Sequence, residues 1–188
     1  MILHPWHEVS VGENAPEYVN GIIEIPKGSR AKYEIDKASG LVKLDRVLNA
    51  SMYYPLNYGF IPQTLGDDHD PLDIVVLTSV TVFPGCLIPS RVIGVMRMID
   101  RGEADDKIIA VAEQDVTVSH IEDVDHLPNY LREELKHFFE NYKTLENKIV
   151  VVDEFQSKHQ AMEIIEQSIA LYKKTYSGED RVRREALV

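Results

Sequence analysis

The chain has 188 residues, 44% of them hydrophobic, and a formal net charge of −11, with a pI near 5.0. That is the size of one domain with a real core, and the acidity argues against naked nucleic acid or an anionic membrane as partner. The single cysteine, Cys86, excludes an intrachain disulfide and fits a reducing compartment.

The start, Met1 to His7, has no basic stretch leading into an apolar run, so no signal peptide is expected. No run of about 18 apolar residues predicts a membrane span. The expected location is cytoplasmic. One domain is predicted over residues 1–188, with an N-terminal extension to Pro16 and a mobile tail from Ser177.

The first half reads as β. Val19 to Pro26 is apolar and β-branched, and Lys27-Gly28-Ser29 follows as a turn. Ala31 to Asp36 alternates, with Lys32, Glu34 and Asp36 on one face. Lys37-Ala38-Ser39-Gly40 is a second turn, and Leu41 to Val47 a third strand. Ser51 to Phe60 is aromatic and reads as a loop, with Tyr53 and Phe60 packing on the core. Asp73 to Val80 is a nearly continuous apolar strand, expected to be central. Arg91 to Ile99 and Lys107 to Val111 flank a polar connection containing Gly102.

The second half reads as helical. Pro128 suits a first turn, and Leu131, Leu135, Phe138, Phe139 and Tyr142 share one face. A later helix starts near Ser157, where Ser157 and Gln160 fit a capping box. Its apolar stripe is Ala161, Ile165, Ile169, Tyr172 and Tyr176. Many short strands followed by helices predict an α+β protein with a small antiparallel barrel or curled sheet as its core.

Asp68-His69-Asp70-Pro71-Leu72-Asp73 carries the chemistry. Three carboxylates in six positions abut a buried strand, an arrangement that costs desolvation energy unless a cation compensates. A hard divalent metal with oxygen ligands is the natural compensation. An EF-hand calcium loop fails, because Asp73 stands where glycine is needed and Ser79 where a glutamate is needed. A second cluster is Asp100 with Asp105 and Asp106, ending in Lys107. Alone it reads as a charged hairpin loop. Beside the first it suggests more than one metal ion and a phosphate-bearing substrate. Lys32 and Arg46 read either as surface ion pairs or as phosphate contacts. No His-x-x-x-His spacing and no phosphate-binding glycine loop ending in Lys-Ser/Thr is present.

These segments resemble a known family. Asp68-His69-Asp70-Pro71-Leu72-Asp73 is similar to the Asp-x-Asp-Pro-x-Asp signature of the soluble family I inorganic pyrophosphatases. Ile23-Glu24-Ile25-Pro26, Lys32-Tyr33-Glu34-Ile35-Asp36, Asp45-Arg46, Tyr54-Pro55-Leu56-Asn57-Tyr58-Gly59, Asp100 with Asp105 and Lys107, and His137 to Lys143 follow the family's order. The resemblance spans roughly residues 17 to 175. It implies a five-stranded OB-type barrel with flanking helices, and magnesium-dependent hydrolysis of pyrophosphate to two orthophosphates with several Mg2+ ions.

By the same resemblance, Asp68, Asp73, Asp100 and Asp105 hold metal. Asp70 is the general base for direct attack of a metal-bound hydroxide. Lys32, Arg46, Tyr58, Lys107, Tyr142 and Lys143 contact phosphate, and Glu24, Glu34 and Tyr54 support the site. The short chain resembles members that are homo-oligomers, a hexamer being favoured over a dimer. His69 departs from the family pattern, which has a small or polar residue there. In an extended segment its side chain would point away from Asp68 and Asp70. The competing readings are an OB-type module for single-stranded nucleic acid or sugar, which would need a positive groove, and a phosphohydrolase for nucleotides or polyphosphate.

Overall fold

The structure, a computed structural model, describes residues 3–100, 102–146 and 150–176. The predicted tail from Ser177 lies outside the described residues. Among these residues nine strands and two α-helices carry the fold: β1 (Tyr18–Ile25), β2 (Ala31–Ile35), β3 (Val42–Val47), β4 (Asn57–Phe60), β5 (Asp73–Leu77), β6 (Leu87–Asp100), β7 (Glu103–Ala104), β8 (Lys107–Ala112), α1 (Asn129–Asn141), β9 (Val150–Ser157) and α2 (Lys158–Tyr176).

Strands β1, β4, β5, β8 and β6 pair in that order, and β6 pairs back onto β1. The result is a closed ring of five strands, as expected for an OB-type barrel. β5 and β8 run parallel, while the other ring pairs are antiparallel. β9 extends β6, and β2–β3 form a separate hairpin. Closure leaves no edge between β1 and β6 to pair with another chain.

Both faces of the central strands are apolar and buried, which is why they read as continuous hydrophobic runs. Ile74 and Val76 share a core with Ala161 and Ile165 of α2. Val75 and Leu77 face the other way, into the cluster holding Leu135, Phe138 and Phe139 of α1. The lower stripe of α2, Tyr172 and Tyr176, packs with Trp6 of the N-terminal segment. Among the described residues no helix is long and apolar enough to cross a membrane.

Four expectations need correction. The aromatic stretch is not all loop: Asn57–Phe60 is strand β4, paired with β1 and β5. Gly59 permits this, because a Cβ there would stand 1.9 Å from the Ile22 carbonyl oxygen. Phe60 is buried as expected, but Tyr53 is 57% exposed, 6.0 Å from the Arg30 guanidinium. The central strand ends at Leu77, where the Thr78 hydroxyl turns to the Val80 carbonyl. The second half also contains a strand, β9, whose Asp153-Glu154 interrupts the apolar run.

The predicted cap of α2 takes another form. Ser157 donates from its hydroxyl to the Gln160 side chain, and the first helical amide, Lys158 N, donates to Asp123 Oδ2 at 3.3 Å. Pro128 stands at the N-cap of α1, one residue before its first turn.

Candidate active site

Strand direction gathers the charged residues. β5 and β8 run parallel and both begin at one end of the barrel, so their first residues, Asp73 and Lys107, are register partners. β6 runs antiparallel to β8 and ends there, delivering Asp100. Tyr142 and Lys143 follow the end of α1, and the Asp68–Asp70 loop leads into β5.

These elements, with the β2–β3 hairpin, surround a cavity of about 530 Å³. It is lined by Glu24, Lys32, Glu34, Arg46, Tyr58, Asp68, Asp70, Asp73, Asp100, Asp105, Lys107, Tyr142 and Lys143. Every site residue expected from the sequence therefore lines one cavity, except Tyr54. Tyr54 is buried behind it, its ring 4.8 Å from that of Phe138 and 5.6 Å from that of Tyr58. Asp106 points elsewhere: Arg97 Nε holds it at 2.8 Å, as strand alternation requires between Asp105 and Lys107.

Bulges aim two of the acids. β1 slips register between Ile23 and Ile25, so Glu24 is the unpaired extra residue and turns across to accept a hydrogen bond from Ile35 N at 2.6 Å. The hairpin slips between Lys32 and Tyr33, leaving Asp45 unpaired. Its carboxylate meets Arg46 Nη1 at 2.5 Å and Lys32 Nζ at 3.6 Å. Arg46 Nε also donates to Glu146 Oε1 at 2.8 Å.

Lys107 is the electrostatic centre. It is 2% exposed, and its ammonium donates to both Asp73 and Asp105. Burial works against the charge, but Asp73 and Asp105 outweigh it and hold Lys107 above its ordinary range. Asp73 remains under-compensated, since burial pushes its pKa up to about 6 against the pull of Lys107. Burial also raises Asp68. Lys143 Nζ donates to Asp100 Oδ2 at 2.7 Å, while the buried Asp100 Oδ1 has no hydrogen-bond partner. Lys143 too is held above its ordinary range; burial opposes this, while Tyr142 and Asp100 favour it.

The Asp68–Asp70 segment is a turn rather than extended. His69 lies at φ +64°, its N–H donates to the Gly66 carbonyl at 3.2 Å, and Gly66 N donates to Asp70 O at 2.7 Å. Asp68 Oδ1 accepts from Asp70 N at 3.1 Å. The left-handed backbone explains why small residues suit this position.

Three further charged or aromatic lining residues carry no signal of their own in the sequence, Trp6, Lys37 and Glu103, and Asp45, part of the Asp45-Arg46 segment but given no role there, lines the cavity too. Glu103 stands between Asp100 and Asp105, so proximity could have flagged it. Lys37 sits in a polar turn that reads as solvated. No local pattern brings Trp6, near the start of the chain, to a site built from distant segments.

The comparisons with known proteins bear on this geometry. Residues 21–173 match the inorganic pyrophosphatase family model. The chain belongs to the family I soluble inorganic pyrophosphatases. It is 50% identical over 169 residues to a soluble inorganic pyrophosphatase of Oryza sativa, covering 90% of this chain and 79% of the relative. The solved inorganic pyrophosphatase of Thermus thermophilus superposes with a TM-score of 0.87 at 41% identity, covering 90% of this chain and 99% of that one. That of Helicobacter pylori gives 0.84 at 41% identity over 88% and 99% of the two chains. Membership makes the protein a hydrolase of the inorganic diphosphatase class.

The family implies a divalent metal, and the residues fit one. The donors are all carboxylates, the oxygen ligands a hard cation prefers, and Asp100 Oδ1 is a buried anionic oxygen with no partner. Among the described residues no three carboxylate or imidazole side chains converge on one metal position; the carboxylates are paired with lysines instead.

Glu24 yields a pH prediction. Burial raises it to about 8 from the usual 4.5. Stability that depends on its protonated form is complete below pH 4.5 and lost as pH rises through 8. Glu24→Gln keeps an acceptor for Ile35 N and removes the buried charge. In EDTA at pH 9 the variant should be more stable by about 2 kcal/mol, a Tm rise of roughly 4–8 °C. Near pH 4.5 it should match the parent. Equal melting of the two proteins at both pH values would refute the buried-charge account.

Proposed function

We propose that the cavity hydrolyses pyrophosphate to two orthophosphates with magnesium, by direct attack of water on phosphorus and without a covalent enzyme intermediate. The observation that supports this best is the alternation of carboxylates and cations around one cavity, centred on buried Lys107 between Asp73 and Asp105. An acidic chain can then take an anionic substrate, because the carboxylates load metal and the metal and lysines load pyrophosphate.

Asp68, Asp73, Asp100 and Asp105 would hold several Mg2+ ions, which when bound lower the pKa of the attacking water and offset substrate charge. Asp70, half-exposed at the cavity rim, accepts the water's proton on its carboxylate. Lys32 and Arg46 approach from the β2–β3 hairpin, and Lys107 and Lys143 from the barrel end, so the two phosphoryl groups meet cations from separate elements. Arg46 offers a planar fork and the lysines compact charge. Tyr58 and Tyr142 offer hydroxyl donors. Burial holds the Tyr58 hydroxyl above its ordinary range, so it stays protonated and able to donate.

A panel of pyrophosphate, tripolyphosphate and ATP tests substrate choice. Pyrophosphate should turn over at least about 100-fold faster than ATP, the scale set by two fully engaged charged contacts. Comparable rates would favour a general phosphohydrolase.

The reading extends to a homo-oligomer, a hexamer rather than a dimer. Phe83 and Val116, 86% and 85% exposed, supply apolar surface that subunit contact would cover. Sedimentation at six times the 21.4 kDa chain would support it, and a dimer or monomer mass would contradict it.

A further inference from the structure

The N-terminal segment reaches the site through one side chain that the family motifs leave without a role. Lys37 lies in the turn between β2 and β3, lines the cavity, and forms an ion pair with Asp70 Oδ1. Its Nζ also donates to the His69 carbonyl at 3.4 Å. The same nitrogen lies 5.8 Å from the centroid of the Trp6 ring.

Trp6 is itself fixed. It is 4% exposed, its Nε1 donates to the Thr64 carbonyl at 2.9 Å, and Gln63 N donates to its carbonyl at 2.9 Å. Its ring stacks on His7 at 4.5 Å and meets Tyr176 of α2 edge-on at 5.8 Å. The turn carrying Lys37 is pinned to the same segment. His4 Nε2 is 3.1 Å from the Lys37 carbonyl oxygen, and a Cβ on Gly40 would stand 2.9 Å from Pro5 Cδ. Trp6 precedes the residues that match the family model.

We propose that Lys37, seated on the Trp6 ring, is a positioning residue that orients the Asp70 carboxylate for proton abstraction. This rests on the reading of Asp70 as general base. An ion pair this exposed, 55% and 52% for its two side chains, adds little stability. Its effect is on direction. Asp70 sits in a turn with His69 at positive φ, and its half-exposed side chain projects from the cavity rim. Lys37 binds Oδ1 and the adjacent carbonyl together, so Oδ2 would be the oxygen left to take the water's proton. The indole face limits where the ammonium can go, through cation–π attraction. A general base displaced by a fraction of an ångström loses much of its advantage.

The test is a cycle of Lys37→Gln, Asp70→Asn and the double variant, with kcat and KM measured on pyrophosphate. Lys37→Gln should lower kcat about 5–10-fold, leave KM within about 2-fold, and leave Tm within about 2 °C. In the Asp70→Asn background the same change should cost less than about 2-fold, because Lys37 would have no base left to orient. Lys37→Arg should recover at least half of the lost kcat, and Trp6→Leu should lower kcat in the same direction. An equal loss in both backgrounds, a rise in KM at constant kcat, or no loss would overturn the role given to Lys37. Asp70→Asn with full activity would instead overturn the general-base reading on which it rests.

Discussion

Lys107→Met is expected to destabilise the metal-free protein by about 3–5 kcal/mol and to cut turnover at least about 100-fold. The side chain is 2% exposed and bridges Asp73 and Asp105. Methionine fills similar volume, so packing loss is small. The cost comes from leaving two carboxylates close together and desolvated without their cation. An exposed ion pair would contribute less than about 1 kcal/mol, so the size of the loss separates a buried electrostatic centre from surface decoration. At pH 8 in EDTA the Tm should fall by roughly 10 °C. Magnesium should recover part of that stability, since a divalent cation can pair with the same carboxylates. Turnover should stay low even then if, as proposed, Lys107 supplies the point charge at the phosphate. A Tm in EDTA unchanged from the parent would contradict this.

Asp70→Asn should lower turnover at least about 10²-fold while the protein melts within about 2 °C of the parent. The side chain is 52% exposed, and the bond that shapes the turn runs from Gly66 N to the Asp70 backbone carbonyl, which the substitution keeps. Asparagine matches the shape and removes the negative charge, and with it the capacity to take a proton and the exposed ion pair with Lys37, which adds little stability. Steady-state kinetics with a melting curve on the same sample checks this. Unchanged turnover would remove Asp70 from the mechanism, and lost activity with a collapsed Tm would show a structural role instead.

The sequence carries the site more fully than the fold. Carboxylates at the mouth of an apolar strand are locally conspicuous, so Asp68, Asp70 and Asp73 stand out from residue type and spacing alone. Asp100, Asp105 and Lys107 join them because β6 and β8 pair antiparallel next to parallel β5, a long-range fact that alternation only hints at. β9 escapes because its strand pattern is broken by Asp153-Glu154, and its pairing with β6 is what stabilises it. β4 escapes because aromatic rings around a glycine read as a packed loop. The bulge that aims Glu24 is set by register with β4, which one strand's sequence does not specify. Trp6 and Lys37 come together only through tertiary contact, and each alone reads as an ordinary core or surface residue.

The carboxylate cavity is proposed to load magnesium and act on pyrophosphate. Phosphate release from pyrophosphate, measured with magnesium and again with excess EDTA, tests it most directly. Rapid release with magnesium, falling at least about 10³-fold in EDTA and returning when magnesium is restored, is the predicted result. Release that persists in EDTA, or none with magnesium in a protein that remains folded, would contradict it.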